Sequence, residues 1–409
     1  MLKIKYIKIA IGIFLFLNHL TVIGQDKEFA SKIISDITSP AFKGRGYTHK
    51  GINKSEKFII NTLKTIGVKK IMKQTFTMPV SVIKNAKVSF DTIQAEIGKN
   101  TIVYPNSCSI NGTFEIIKVS KNTIRTFLTN DYFNKFVLFD TSITNNNEYT
   151  KEMKSLMQKN SINAKGFIIC KSNKIMQIQA HETKPWVMME MDTTFIDAKH
   201  ITLNIKAKHI QYKTSNIIGI IDGQSDSLIA FSAHYDHLGE LGKYFFPGAN
   251  DNASGVAMTL DIARELAPRK NKYGIALMFF TGEEVGLIGS QYFVEHPIFN
   301  LKLIKYLFNL DVIGSGEKGI VVVNGEEYKE LMQQLQKINV ENNLKLDIQA
   351  RGVSNNSDHA SFYLKGIKAV FIYAKGKTGP YHHPDDVLAN LSLEKYESIV
   401  KLLILYTQQ

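Results

Sequence analysis

The sequence predicts an α/β sandwich around a mixed, mostly parallel sheet, with a β-rich unit inserted into it. Three observations carry this expectation. From Asn216 onward, short apolar runs alternate with stretches of helical periodicity, as strands buried on both faces and joined by crossover helices do. Between about Pro79 and Tyr212 the texture changes to short apolar runs separated by Asn, Ser, Thr and Lys clusters. Before Pro79 the apolar residues repeat at helical spacing.

Taken in order, Lys3, Lys5 and Lys8 precede an apolar run from Ile9 to Leu17, and small residues end at Gly24. That is the build of a secretory signal peptide over residues 1–24, too short for a comfortable transmembrane helix. No Cys follows the run, so a lipid anchor is not supported. Phe29, Ile33, Ile34 and Ile37 mark a first helix, and a second is expected over Ile52–Ile66, stopped by Gly67, with helical pattern continuing to about Met78. Phe42-Lys43-Gly44-Arg45-Gly46 reads as a glycine-rich turn between the two. Phe136–Phe139, Gly166–Cys170 and Ile201–Ile205 are the strand candidates of the insert, and Glu152–Lys159 is its helix. Further on, strands are expected at Ile217–Ile221, Leu228–Ala233, Ile275–Phe280, Tyr306–Leu310, Ile320–Val323 and Ala369–Tyr373. Helices fit Ser254–Leu266, Glu284–Val294, Glu327–Val340, Asp358–Leu364 and Leu393–Leu405. The division that follows is residues 25–80 with 212–409 as one domain, interrupted by residues 81–211.

Composition is that of a globular protein, with 44% hydrophobic and 21% charged residues. The net charge of +13 falls to +10 once Lys3, Lys5 and Lys8 are set aside (13 − 3), and the basic residues are scattered. No basic stripe interleaved with aromatics is present, which argues against nucleic acid as a partner. Export would permit a disulfide between Cys108 and Cys170, whose separation the sequence leaves open. An exported chain, periplasmic or secreted, with no stable membrane insertion after cleavage, is the expectation.

Chemistry concentrates in five segments: Phe231–Gly239 with His234, Gly248–Gly255 with Asp251, Phe280–Gly286 with Glu284, Phe308–Gly314 with Asp311, and Tyr381–Asp386 with His382. Nitrogen and oxygen ligands in this number suit two zinc ions sharing one carboxylate. The three carboxylates leave one of four positive charges uncompensated, which a bridging hydroxide would neutralise and so provide the nucleophile. Placement supports convergence. His234 and Asp236 end one strand, Glu283 and Glu284 follow another, and Asp311 ends a third, where open α/β sheets gather ligands. Adjacent Glu283 and Glu284 cannot do the same job, so one can ligate while the other acts as general base. Asp236 suits a carboxylate that orients the His234 imidazole.

Singly, these residues have plainer explanations. A His at a strand end is usually a hydrogen-bonded structural residue, and Glu-Glu commonly opens a helix, as Glu283-Glu284 is expected to do. Their joint order is what resists dismissal. Asp358 and His359 start a helix, where an N-cap by Ser357 or Asp358 competes with a role in the site. His237 and His383 neighbour ligands and are read as supporting residues, and Asp385 and Asp386 as caps of the loop after Pro384. Tyr235, Phe245, Phe246 and Tyr381 line a side-chain pocket or simply pack.

The segments resemble those of the co-catalytic di-zinc exopeptidases that include secreted bacterial leucyl aminopeptidases and glutamate carboxypeptidases. The similarity is loose over Gln25 to about Met78 and close over Asn216–Gln409, and it takes in Lys43-Gly44-Arg45-Gly46 and Thr214–Gly219. It implies the zinc exopeptidase fold, a three-layer sandwich. It also implies one zinc held by His234, Asp251 and Glu284 and a second by Asp311, His382 and the shared Asp251. Glu283 would be the base, Asp236 the partner of His234, and Asp251–Asn252 a cis peptide. Residues of the insert, such as Lys135–Phe139 and Ala164–Ile169, resemble a protease-associated domain. Val312 and His383 depart from common Met and Thr, at positions that are not ligands.

The reading is therefore an exported hydrolase, a zinc-dependent aminopeptidase with two Zn2+ per chain and peptides as substrates. Carboxypeptidase, dipeptidase or glutaminyl cyclase activity on the same fold, and a non-catalytic binding protein, are the alternatives. Manganese or cobalt can occupy comparable oxygen-rich sites.

Overall fold

The computed structural model describes residues 27–119, 130–141, 147–172 and 175–409. The expected leader, residues 1–24, lies outside the described residues. Among the described residues, no helix is long and apolar enough to cross a membrane.

Alternate residues of the strand Asn271–Phe280 show why a layered fold forms. Ile275, Leu277 and Phe279 join one hydrophobic core, and Ala276, Met278 and Phe280 join another on the opposite face. A strand's side chains point alternately up and down, so a continuous apolar run must be covered on both sides. Helices Lys27–Ile37, Gly51–Ile66, Ser254–Leu266, Lys329–Glu341 and Tyr396–Tyr406 contribute to the first core. Helices Ile288–Glu295 and His359–Leu364 contribute to the second. The result is the expected three-layer α/β sandwich.

The sheet runs in the order Ile348–Arg351, Ile320–Val323, Ala369–Ala374, Ile304–Leu310, Gly223–His234, Asn271–Phe280, His200–Ile221. Gly223–His234 pairs in parallel with Asn271–Phe280 and with Ile304–Leu310, which in turn runs parallel to Ala369–Ala374. Ile320–Val323 against Ala369–Ala374, and Asn271–Phe280 against His200–Ile221, are antiparallel. The sheet is thus mixed and mostly parallel at its centre.

The same sheet continues through Ile110–Val119, Lys135–Asp140, Gly166–Lys171, Val187–Asp192 and Thr101–Val103, which enclose a separate core including Phe136, Phe139, Phe167 and Met189. What joins the two parts is a long antiparallel ribbon. Lys70–Phe90 pairs with His200–Ile221 from Lys70↔Ile220 to Phe90↔Ile201, and both strands cross the expected borders at 80 and 212 without interruption.

Two expectations need correction, and the open question of the cysteines is answered. Helical structure does not reach Met78. It stops at Gly67, whose φ of 97° ends the helix, and from Gln74 to Met78 burial alternates residue by residue as in a strand. The helix expected from Glu284 begins at Ile288, because Gly282, Gly286 and Leu287 all have positive φ and hold residues 283–287 in a turn. Cys108 and Cys170 are both free.

Candidate metal centre

The carboxyl ends of three neighbouring strands deliver the first ligands. His234 is the last residue of Gly223–His234, Asp311 follows Ile304–Leu310, and Glu283 and Glu284 follow Asn271–Phe280. Because these strands are adjacent and parallel, their ends lie side by side. His234 Nε2 stands 3.2 Å from Asp251 Oδ1 and 3.3 Å from Asp311 Oδ1. His382 Nε2 stands 3.1 Å from Asp251 Oδ2 and 3.1 Å from Glu284 Oε2. All five expected ligands therefore meet, with one carboxylate oxygen of Asp251 turned to each group.

The grouping differs from the one the resemblance implied. Asp311, not Glu284, joins His234 and Asp251, and Glu284 joins His382. The strand of His234 is flanked by the strands leading to Asp311 and to Glu284, and it is the turn over residues 283–287 that carries Glu284 on towards the His382 loop.

Asp251 Oδ2, Asp311 Oδ1 and His382 Nε2 are buried and have no hydrogen-bond partner. Leaving several such atoms unpaired would cost a few kcal/mol each. Each histidine nitrogen stands 3.1–3.3 Å from the two carboxylate oxygens of its group. Ligands about 2.0 Å from a tetrahedral centre lie about 3.3 Å from one another, so both the spacing and the nitrogen and oxygen chemistry fit divalent metal.

Every ligand is held from behind. Asp236 is fully buried, its carboxylate 3.7 Å from His234 Nδ1, and that Nδ1–H donates to the Asp236 carbonyl at 3.3 Å. The same carboxylate accepts from the Tyr47 hydroxyl at 2.7 Å and from the backbone N–H groups of Glu283 and Glu284. Ser357 donates to Asp311 at 2.8 Å. His237 lies 2.6 Å from Glu284 through Nδ1, in the supporting place expected of it. The Asp251 loop, with the cis peptide Asp251–Asn252, is cradled by Arg45, which donates to the carbonyls of Pro247, Gly248 and Asp251. Asp386 accepts from the N–H groups of Asn250 and Asp251, so it secures a loop some 135 residues earlier rather than capping its own. Asp358 makes no side-chain cap at its helix, which removes the N-cap explanation for it. Tyr381 stacks on the His382 ring at 3.7 Å with its side chain half exposed.

Electrostatics separate the two adjacent glutamates. Burial, reinforced by Asp311, Glu284 and Asp358, raises Glu283 well above the usual carboxylate range. Burial pulls Glu284 the same way, but the His382 and His237 rings outweigh it and Glu284 falls to about 2. Two acids pushed apart in this manner divide the work of proton transfer and charge holding.

Tyr47 was not singled out by the sequence, Ser357 and Asp386 were read only as caps, and Arg45 only as part of a glycine-rich, family-like turn. Contacts spanning 46 to 206 residues leave no local pattern.

Comparison with known proteins gives a consistent picture. The model described as peptidase family M28 matches residues 216–407. Aminopeptidase YwaD of Bacillus subtilis is 32% identical over 216 residues, 49% of this chain and 45% of that protein. A probable leucine aminopeptidase of Arthroderma otae is 26% identical over 238 residues, 54% of this chain and 64% of that protein. The chain thus spans about half to two thirds of the length of these relatives. A crystal structure of a zinc aminopeptidase from Bacillus subtilis superimposes with a TM-score of 0.72 at 21% identity, covering 92% of this chain and 94% of that one, and shares its fold.

Proposed function

We propose, from the match of residues 216–407 to the model described as peptidase family M28, that this chain is a zinc-dependent aminopeptidase. The observation that carries the reading is the pair of donor groups meeting at Asp251, with Glu283 beside them, 4.0 Å from His234 Nε2. His234, Asp251 and Asp311 would hold one zinc, and Asp251, Glu284 and His382 the other. Zinc bound there supplies Lewis-acid polarisation of the scissile carbonyl and lowers the pKa of water at the site.

The chain's own residues do the rest. Glu283, 4.0 Å from His234 Nε2, accepts a proton at a carboxylate oxygen from the attacking water. The same carboxylate then passes that proton to the leaving amine nitrogen. Asp236 fixes the His234 ring and, through two backbone N–H groups, the turn that carries Glu283. The likeness to an aminopeptidase and a probable leucine aminopeptidase favours release of N-terminal residues. Residues 1–24 as an export signal, leading to a periplasmic or secreted protein, and residues 81–211 as a protease-associated-like domain complete the proposal.

The test is the purified protein on a panel of aminoacyl chromogenic amides with N-acetylated controls, its metal content measured on the same sample. Chelator-sensitive cleavage of free-amine substrates alone, with about two metals per chain, is the expected result. Cleavage only of blocked substrates with free C-termini would reassign the protein as a carboxypeptidase.

A further inference from the structure

The insert carries none of the five ligands, yet one of its segments reaches the metal centre. Residues 175–182 form no helix or strand and lie across the carboxyl ends of the catalytic strands. His382 donates from Nδ1 to the Gln177 carbonyl at 3.0 Å, and the Gln177 N–H donates back to the His382 carbonyl at 3.1 Å. Gln179 donates to the Leu238 carbonyl at 2.6 Å, in the loop after His234. His181 bonds through Nδ1 to the Val285 carbonyl, next to Glu284. One short segment thus touches three of the loops that bear ligands.

The segment is itself anchored in the insert. The Met176 N–H donates to Glu190 at 3.0 Å, and Glu190 is buried in an ion pair with Lys171 at 2.6 Å. Ser81 binds the carbonyls of Ala180 and Glu182, each at 2.8 Å. Gln177 is 2% exposed.

We propose that this segment is a positioning element of the metal centre, with the Gln177 carbonyl fixing the tautomer and orientation of His382. The chemical need is specific. A metal-ligating imidazole must carry its proton on the other ring nitrogen, and an outer partner holds that proton there. His234 has Asp236 for this purpose. His382 sits at a positive φ of 54° in an irregular loop, and its Nδ1–H is met by the insert alone among the described residues. The insert thereby does for one metal what the strand end does for the other.

The inference rests on the proposed metal site, and the experiment separates the two. Cobalt is titrated into the metal-free full-length protein and followed by its visible absorption, for wild type, Gln177→Pro and the double variant Gln179→Ala/His181→Ala. Gln177→Pro removes the N–H that grips the His382 loop, while the double variant removes two side-chain anchors without touching that backbone. The expected outcome is a 10- to 100-fold loss of affinity for one cobalt, the other binding as in wild type, with an unchanged melting temperature for the metal-free protein. Should Gln177→Pro fail to fold, the double variant decides alone. Two wild-type affinities in a folded variant, or equal loss at both sites, would overturn the role of the segment. Wild type that binds no cobalt would overturn the metal site itself.

Discussion

At the scale of single residues, the centre depends on pairs whose members do different work. Glu283→Gln preserves shape and hydrogen bonding but not the proton acceptor, so zinc content should stay at the wild-type level while turnover falls by several orders of magnitude. Near-normal turnover with full metal would remove Glu283 from the mechanism. His382→Ala should instead lose metal after dialysis along with activity, measured by elemental analysis. His359 offers a test independent of metal. Burial lowers its pKa to about 4, and its Nε2 bonds to the Ser354 carbonyl. An unfolded His titrates near 6.5, so the unfolded chain binds the extra proton first. This contribution to stability is complete above about pH 6.5 and is lost as pH falls towards 4. The span amounts to about 3 kcal/mol. Unfolding free energies from urea titrations of wild type and His359→Gln should converge by roughly that amount over the interval, and parallel curves would count against it.

At the scale of elements, strands buried on both faces were legible because their apolar runs are unbroken, as at Ile275–Phe280 and Ile320–Val323. Lys70–Phe90 was not, since its first half alternates polar and apolar residues directly after a helix. Ligand identity was legible from local motifs. Ligand grouping was not, because both strand ends beside His234 are neighbours and the turn over residues 283–287 decides where Glu284 goes. The turn after Asn271–Phe280 shows how tightly element packing sets the site. Gly289 lies against the Thr281 carbonyl and the Asn216 side chain, and Asn216 donates to its carbonyl at 2.8 Å. A Cβ at Gly289 would force the helix Ile288–Glu295 off the strand. Gly289→Ala should therefore destabilise the protein by about 1–3 kcal/mol, visible as a lower urea midpoint with an unchanged slope.

At the scale of the whole molecule, the buried carboxylates and unpaired atoms of the centre oppose folding until something compensates them. Metal that binds only the folded state should stabilise it by about 2.7 kcal/mol per site at 100-fold excess over the dissociation constant, so the melting temperature should rise with metal concentration. Calorimetry before and after chelation, with zinc restored, measures this, and a melting temperature indifferent to chelator would contradict it.

The paired ribbon has a further meaning for the history of the chain. Phe90 and Ile201 face each other across it, so the chain leaves and re-enters the catalytic part at one spot. An excursion with adjoining ends can be gained or deleted without rerouting the host, and a tight turn after Phe90 would reconnect the backbone. A shortened protein of that kind keeps all five ligands but gives up residues 175–182. Without the excursion, the His382 Nδ1–H would lose the Gln177 carbonyl.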